Sequence, residues 1–138
     1  MLSTRWRTSD SVRSVTERGI QSLLERHVEL FNAAVSSGNY DPFLATFAED
    51  AVMRFDDFPL GPYVGRSAIA EAYATQSPSD TMALIGMEVV GPNAVTAAFE
   101  WDAGGTGGIY LRFHDGQVVE LAIAFDHVRE PNVGPLTA

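Results

Sequence analysis

Two adjacent carboxylates, Asp56 and Asp57, close the apolar run "MRFDDFPLGPYVG". A carboxylate among Phe55, Phe58 and Trp101 would be partly desolvated. Desolvation raises a carboxyl pKa toward the range a general acid or base needs. Strand alternation places Ala51, Met53, Phe55 and Asp57 on one face and Val52, Arg54 and Asp56 on the other. The apolar face should meet the core, so parity favours Asp57 as the pocket-facing proton carrier. A bulge between Met53 and Gly65 would favour Asp56 instead. Arg54 shares the Asp56 face, and a surface ion pair is the simplest fate for Asp56. Asp-Asp before Phe-Pro is also an ordinary way to end a strand in a turn, and that alternative stands beside the catalytic one.

Two further side chains could assist. Tyr63, in "PLGPYVG", carries a hydroxyl to where a loop could close over a pocket mouth; packing at the rim is the plainer role. His27 sits at the edge of an apolar helical stripe, either as a structural residue or as a polar group in a pocket. His114, Asp126 and His127 lack the spacing of a metal site, so no metal is expected. "GGTGG" has neither the strand before it nor the helix after it that a phosphate cradle needs. The chain has no Cys, which excludes disulfides and thiolate chemistry. It also has no Lys, which excludes a lysine Schiff base and a Walker-type loop. No cofactor is expected.

These residues need a scaffold. Ile20, Leu24, Val28, Phe31 and Val35 recur at helical spacing, with Glu25, Arg26, Glu29 and Asn32 on the other side. Gly38 ends that helix. "YDPFLATF" starts a short second helix with Asp41 as cap and Pro42 at its first position. "SAIAEAYATQ" predicts a third, capped by Ser67. An early strand fits "DAVMRF". After Gln76, "TMALIGMEVVG", "NAVTAAFEWDA", "GGIYLRFH" and "QVVELAIAFD" predict strands, the last two joined at "HDGQ" by a tight Asp-Gly turn. The order gives an α+β fold, about three N-terminal helices on a curved, mostly antiparallel sheet.

Alternation sorts the faces. Ile109, Leu111 and Phe113 point one way, and Tyr110, Arg112 and His114 the other. Leu121, Ile123 and Phe125 share a face, as do Phe99 and Trp101. Together with Phe31, Phe55 and Phe58 these bulky residues are the expected ligand contacts, because small-molecule sites are mostly apolar with few polar groups. The opposite face carries small residues, Ala98, Ala122 and Ala124, which suits packing of sheet on sheet in a homodimer.

With 138 residues, 46% of them hydrophobic, the chain is one domain with a real core. Residues 1–15 are expected as a flexible arm, 16–127 as the domain and 128–138 as a tail. The net charge of −9 argues against nucleic acid. No apolar run is long enough for a membrane span, so a cytoplasmic protein with an apolar small-molecule partner is expected.

The stretches "HVELFNAAVSSGNYDPFLATFAEDAVMRFDD", "GPYVGRSAIAEAYA" and "FEWDAGGTGGIYLRFHDGQVVELAIAF" resemble the NTF2-like superfamily, in its SnoaL-like and ketosteroid-isomerase-like branch. The resemblance spans residues 17 to 126. It implies a cystatin-like conical barrel around a cavity, and an isomerase or polyketide-cyclase type of activity on a steroid- or polyketide-like substrate. A binding protein or a dimeric assembly domain is the alternative, since this scaffold hosts all three. In ketosteroid isomerases an Asp at the end of the first strand moves the proton. A Tyr on the first helix and a protonated Asp on a later strand hold the enolate oxygen; that enzyme is a general example of carboxyl pKa tuning. By the resemblance, those two donors fall on Phe31 and Ile109, which cannot donate. Only the base position keeps its chemistry: without gaps it falls on Phe55, just before Asp56, and one extra residue between Met53 and Gly65 brings it to Asp56 or Asp57.

Overall fold

A computed structural model describes the backbone of residues 2–56 and 61–125, with side chains from residue 17 onward. Asp57, Phe58, Asp126 and His127 lie outside the described residues.

The first helix, α1 (Leu2–Ser37), buries Ile20, Leu24, His27, Val28, Phe31 and Ala34 along one stripe. Gly38, at φ 80°, donates its N–H to Ala34 and ends the helix, as a glycine in the left-handed region does. Helix α2 (Asp41–Leu44) is shorter than expected. Its cap is Tyr40, not Asp41, and the Asp41 N–H is taken by the Asn39 side chain at 3.1 Å. Phe47, read with this helix in the sequence, belongs instead to the strand β1 (Phe47–Phe55). A fully buried Phe43 and Phe47 stand edge to face, 5.2 Å apart, and the chain turns between them to keep both rings inside. Tyr63 lies not in a loop but in a two-residue strand, β2 (Tyr63–Val64), paired antiparallel with β1. Helix α3 (Arg66–Thr75) follows Gly65 at φ 96°, so Gly65 and not Ser67 is its cap.

The remaining strands, β3 (Met82–Gly91), β4 (Ala94–Trp101), β5 (Thr106–His114) and β6 (Gln117–Phe125), form an antiparallel meander. Asp115 and Gly116 both have positive φ, at 52° and 78°, as a type I′ turn demands. The sheet order is β2-β1-β6-β5-β4-β3, and β1 lies parallel to β6. The sheet is therefore mixed, curved and open, with three helices packed on it. Bulges fall between Arg112 and Phe113 against β6, and between Leu84 and Gly86 against β4. Each increases local twist and helps curl the sheet around the helices.

Two polar devices fix helices to the sheet. Asn32, expected on the solvent side of α1, is part-buried: its amide donates to the Met82 carbonyl at 2.8 Å and accepts from the Met82 N–H at 2.9 Å. It gives edge strand β3 the hydrogen-bonding partner that a neighbouring strand would supply. Arg66 donates to the Phe47 carbonyl at 3.2 Å and ties α3 to β1. On the outer face, Glu120 accepts from both Arg54 and Arg112. Burial pushes the Glu120 carboxyl up, but the hydrogen bonds and charges of the two guanidiniums outweigh it and hold it below the usual carboxylate range.

A candidate ligand cavity and its polar groups

The concave face of the sheet and the helices enclose a cavity of about 480 Å³. Alternation explains its lining. Met53 and Phe55 of β1 face in, as do Leu121, Ile123 and Phe125 of β6, and Ile109 of β5. From β4, Phe99 and Trp101 complete the wall, opposite Phe31 of α1 and Tyr73 of α3. Phe55, Phe125 and Trp101 form a row: successive ring centres are 6.2 Å apart and the planes tilt by only 13° and 19°. These residues end their strands, so the row marks the mouth.

The polar groups are few. His27 is 4% exposed, packed on the rings of Phe43 at 4.9 Å and Phe47 at 5.9 Å. Burial lowers its imidazole to about 4, so the ring is neutral at physiological pH. Its Nδ1 has no hydrogen-bond partner among the described residues. Tyr73 is buried and stacks on Tyr40 at 5.3 Å. Burial, and next the Tyr40 hydroxyl, push its phenol well above the ordinary value, so it stays a donor. Tyr63 stands edge-on to Phe55 at 6.5 Å and lines the cavity.

Asp80, which the sequence reading missed, also lines the cavity. Its two oxygens accept from the backbone N–H groups of Thr81 at 2.9 Å and Ala103 at 2.8 Å. These bonds lace the loop after α3 to the β4–β5 turn and hold the carboxylate still at the rim. Among the described residues it is the one carboxylate in the lining.

The family description "SnoaL-like domain" matches residues 28–122. The chain belongs to the SnoaL-like family. No curated protein matches it in sequence. Solved structures agree with the SnoaL-like assignment in fold. SalBIII, an epoxide hydrolase/cyclase-like enzyme of pyran-ring formation in the polyether salinomycin, aligns with a TM-score of 0.66 at 13% identity, covering 81% of this chain and 94% of its own. A candidate polyketide cyclase from Xanthomonas campestris gives 0.61 at 21% identity, covering 80% and 93%. A candidate ketosteroid isomerase from Kribbella flavida gives 0.66 at 16%, covering 82% of each chain.

Within this SnoaL-like frame the sequence candidates separate. Asp56 is on the outer face, exposed, with one oxygen 3.2 Å from Arg54. Asp57 and Phe58 are outside the described residues. His27, Tyr63, Phe31, Phe55, Phe99, Trp101, Ile109, Ile123 and Phe125 come together around one cavity. Leu111 is fully buried core, and Phe113 faces a smaller pocket of about 280 Å³ behind His27. Phe31 and Ile109, the positions of the ketosteroid-isomerase donors by resemblance, both line the cavity and offer it no hydrogen bond. Tyr73 and Asp80 were missed for different reasons. Tyr73 reads as one more apolar residue of a helix. Asp80 reads as a loop residue, and only its contact with Ala103, distant in sequence, places it at the rim. The "SPSD" cluster before β3 was its one sequence signal. No group of three metal-binding side chains occurs among the described residues.

Proposed function

We propose that the cavity binds a flat, apolar, carbonyl- or hydroxyl-bearing molecule of steroid- or polyketide-like character, and that the protein moves a proton on it as an isomerase or cyclase. One observation carries this: a cavity of about 480 Å³, walled by a row of near-parallel aromatic rings, with few polar side chains. That size and lining suit a small-molecule site, where apolar walls supply affinity and isolated polar groups supply orientation.

The proposed base is Asp57. It is named from the sequence pattern alone, two positions on from Phe55, which lines the cavity. Asp56 is already engaged by Arg54 on the other face. Asp80 is the second candidate, with its oxygens aligned by two backbone donors. A carboxylate there takes a proton from a carbon beside a carbonyl and returns it elsewhere, so the atoms balance without cofactor or metal. The developing oxygen charge needs a donor, for which Tyr63, Tyr73, His27, Gln76 and Ser79 are the groups in the lining. Losing one such donor typically costs about 100- to 1000-fold in rate. The apolar Phe31 and Ile109 favour a second reading, a binding protein that shelters the same kind of molecule. An assembly domain has less support, because its cavity would be filled by its own side chains.

The test is isomerisation of a Δ5-3-ketosteroid, followed by the ultraviolet absorbance of the conjugated product. Wild type, Asp57→Asn, Asp80→Asn and Asp56→Asn are compared. Turnover lost in Asp57→Asn or Asp80→Asn and kept in Asp56→Asn supports the enzyme. Binding without turnover supports the carrier.

A further inference from the structure

Among the described residues that line the cavity, charge of one sign only is found. Asp80 is the one carboxylate there, and no Arg lines the cavity with it. His27 is neutral at physiological pH, because burial lowers its imidazole to about 4. None of the ion pairs among the described residues involves Asp80. Its side chain is part-buried, and its two hydrogen bonds, from the N–H groups of Thr81 and Ala103, take one acceptor site on each oxygen. A carboxylate has about four such sites, so each oxygen keeps one for a further donor.

The fold puts those oxygens beside the aromatic row. Ala103, which donates to Asp80, follows Trp101 by two residues. Met82, two residues after Asp80, is the cross-strand partner of Trp101. The Asp102 N–H donates to the Thr81 carbonyl at 2.9 Å and locks the two segments together. Trp101 is held in turn by Phe31 at 6.4 Å, Phe99 at 5.1 Å and Phe125 at 6.2 Å. A positive group at the mouth thus meets a fixed carboxylate and rings whose faces attract cations. A neutral group gains nothing from that charge, and an anionic one is repelled by it.

We propose that Asp80 and Trp101 form a cation subsite at the cavity mouth, and that the ligand is a flat apolar molecule carrying a protonated amine at its trailing end. This rests on the cavity being the ligand site. It adds a charge to the ligand class: amines bind ahead of neutral molecules of the same shape, and those ahead of carboxylic acids. With Asp57 as the proposed base, Asp80 is left free to hold that charge.

The experiment is isothermal titration calorimetry on the full chain with two probes of one shape, N-methyl-2-naphthylmethylamine and 2-(methoxymethyl)naphthalene. Only the amine is charged at neutral pH. An anion, 2-naphthylacetate, is the third probe. Titrations are run at about 0.15 M salt, where charges beyond roughly 8 Å are screened and the net charge of the chain contributes little. We expect the amine to bind about tenfold tighter than the ether, and the acetate to bind more weakly than either. In Asp80→Asn the preference for the amine should fall while the ether binds as in wild type. In the wild type, the amine should shift the carbon resonance of the Asp80 carboxylate and the amide resonance of Ala103 that donates to it. The ether should leave both in place. That readout holds even where Asp80→Asn does not fold. Equal affinity for amine and ether, an unmoved Asp80 resonance, or a preference undiminished in Asp80→Asn would overturn the subsite while leaving the cavity as a ligand site. Failure of all three probes to bind would overturn the cavity reading and the subsite together.

Discussion

Phe99 lies directly over its cross-strand partner Gly107. A Cβ on Gly107 would sit 2.5 Å from Cζ of that ring and 2.6 Å from the Ala124 carbonyl oxygen. The ring that lines the cavity can lie flat on the sheet because position 107 has no side chain. Gly107→Ala should therefore push Phe99 into the cavity and cost about 1–3 kcal/mol, the usual range for overpacking. The neighbouring Gly108→Ala meets nothing closer than 3.8 Å and is the control. Urea denaturation of both variants checks this; equal stability of the two would contradict it.

Asn32 holds α1 against the first residue of β3 with two hydrogen bonds to Met82. Asn32→Ala leaves both backbone groups without their partner and should cost about 1–3 kcal/mol. Asn32→Asp keeps an acceptor for the N–H but loses the donor to the carbonyl, and should fall between. Hydrogen exchange should show faster opening at Met82 in Asn32→Ala than in wild type.

The buried His27 makes stability depend on pH in a definite direction. Its pKa falls from the ordinary 6.5 to about 4 on folding. Its contribution is complete above about 6.5. It is lost as the pH falls from there toward 4, because the unfolded chain takes up the proton first. Between pH 7.5 and pH 5 the loss should be about 2 kcal/mol. Glu120 is held below the usual carboxylate range and loses its share only at lower pH. Urea denaturation at the two pH values should show this slope in wild type and a flatter one in His27→Leu.

The outer sheet face presents Ala98, exposed, and Ala124, half-buried, beside the Arg54–Glu120–Arg112 ladder. We propose that a second copy of the chain covers it. Sedimentation velocity should give a dimer for wild type and a monomer for Ala98→Arg, while a monomeric wild type would contradict the proposal.

Much of this architecture was legible because it follows period and turn chemistry. The spacing from Ile20 to Val35 gave the later part of α1, whose helix begins at Leu2 within the stretch read as an arm, and Asp115-Gly116 gave the last hairpin. What escaped depended on contacts between residues distant in sequence. Asn32 looked solvent-facing because nothing local reveals Met82 beside it. Phe47 looked helical until its packing on Phe43 placed it in β1. Helix α3 was capped by a glycine at positive φ, which is visible only as backbone geometry. In the site, strand parity brought Phe55, Ile109, Ile123 and Phe125 to one cavity. Asp80 needed the backbone of Ala103 to hold it there.

The most direct test of the cavity as the ligand site uses Trp101, one of the aromatic row. In a Trp6→Phe background it is the sole tryptophan of the chain. Its fluorescence is followed as progesterone is added, and again in Ala72→Phe, which sets a ring into the cavity from α3. Saturable quenching is expected, with a dissociation constant on the order of micromolar, weakened at least about tenfold, or about 1.4 kcal/mol, by Ala72→Phe. No saturable change, or the same titration in both proteins, would contradict it.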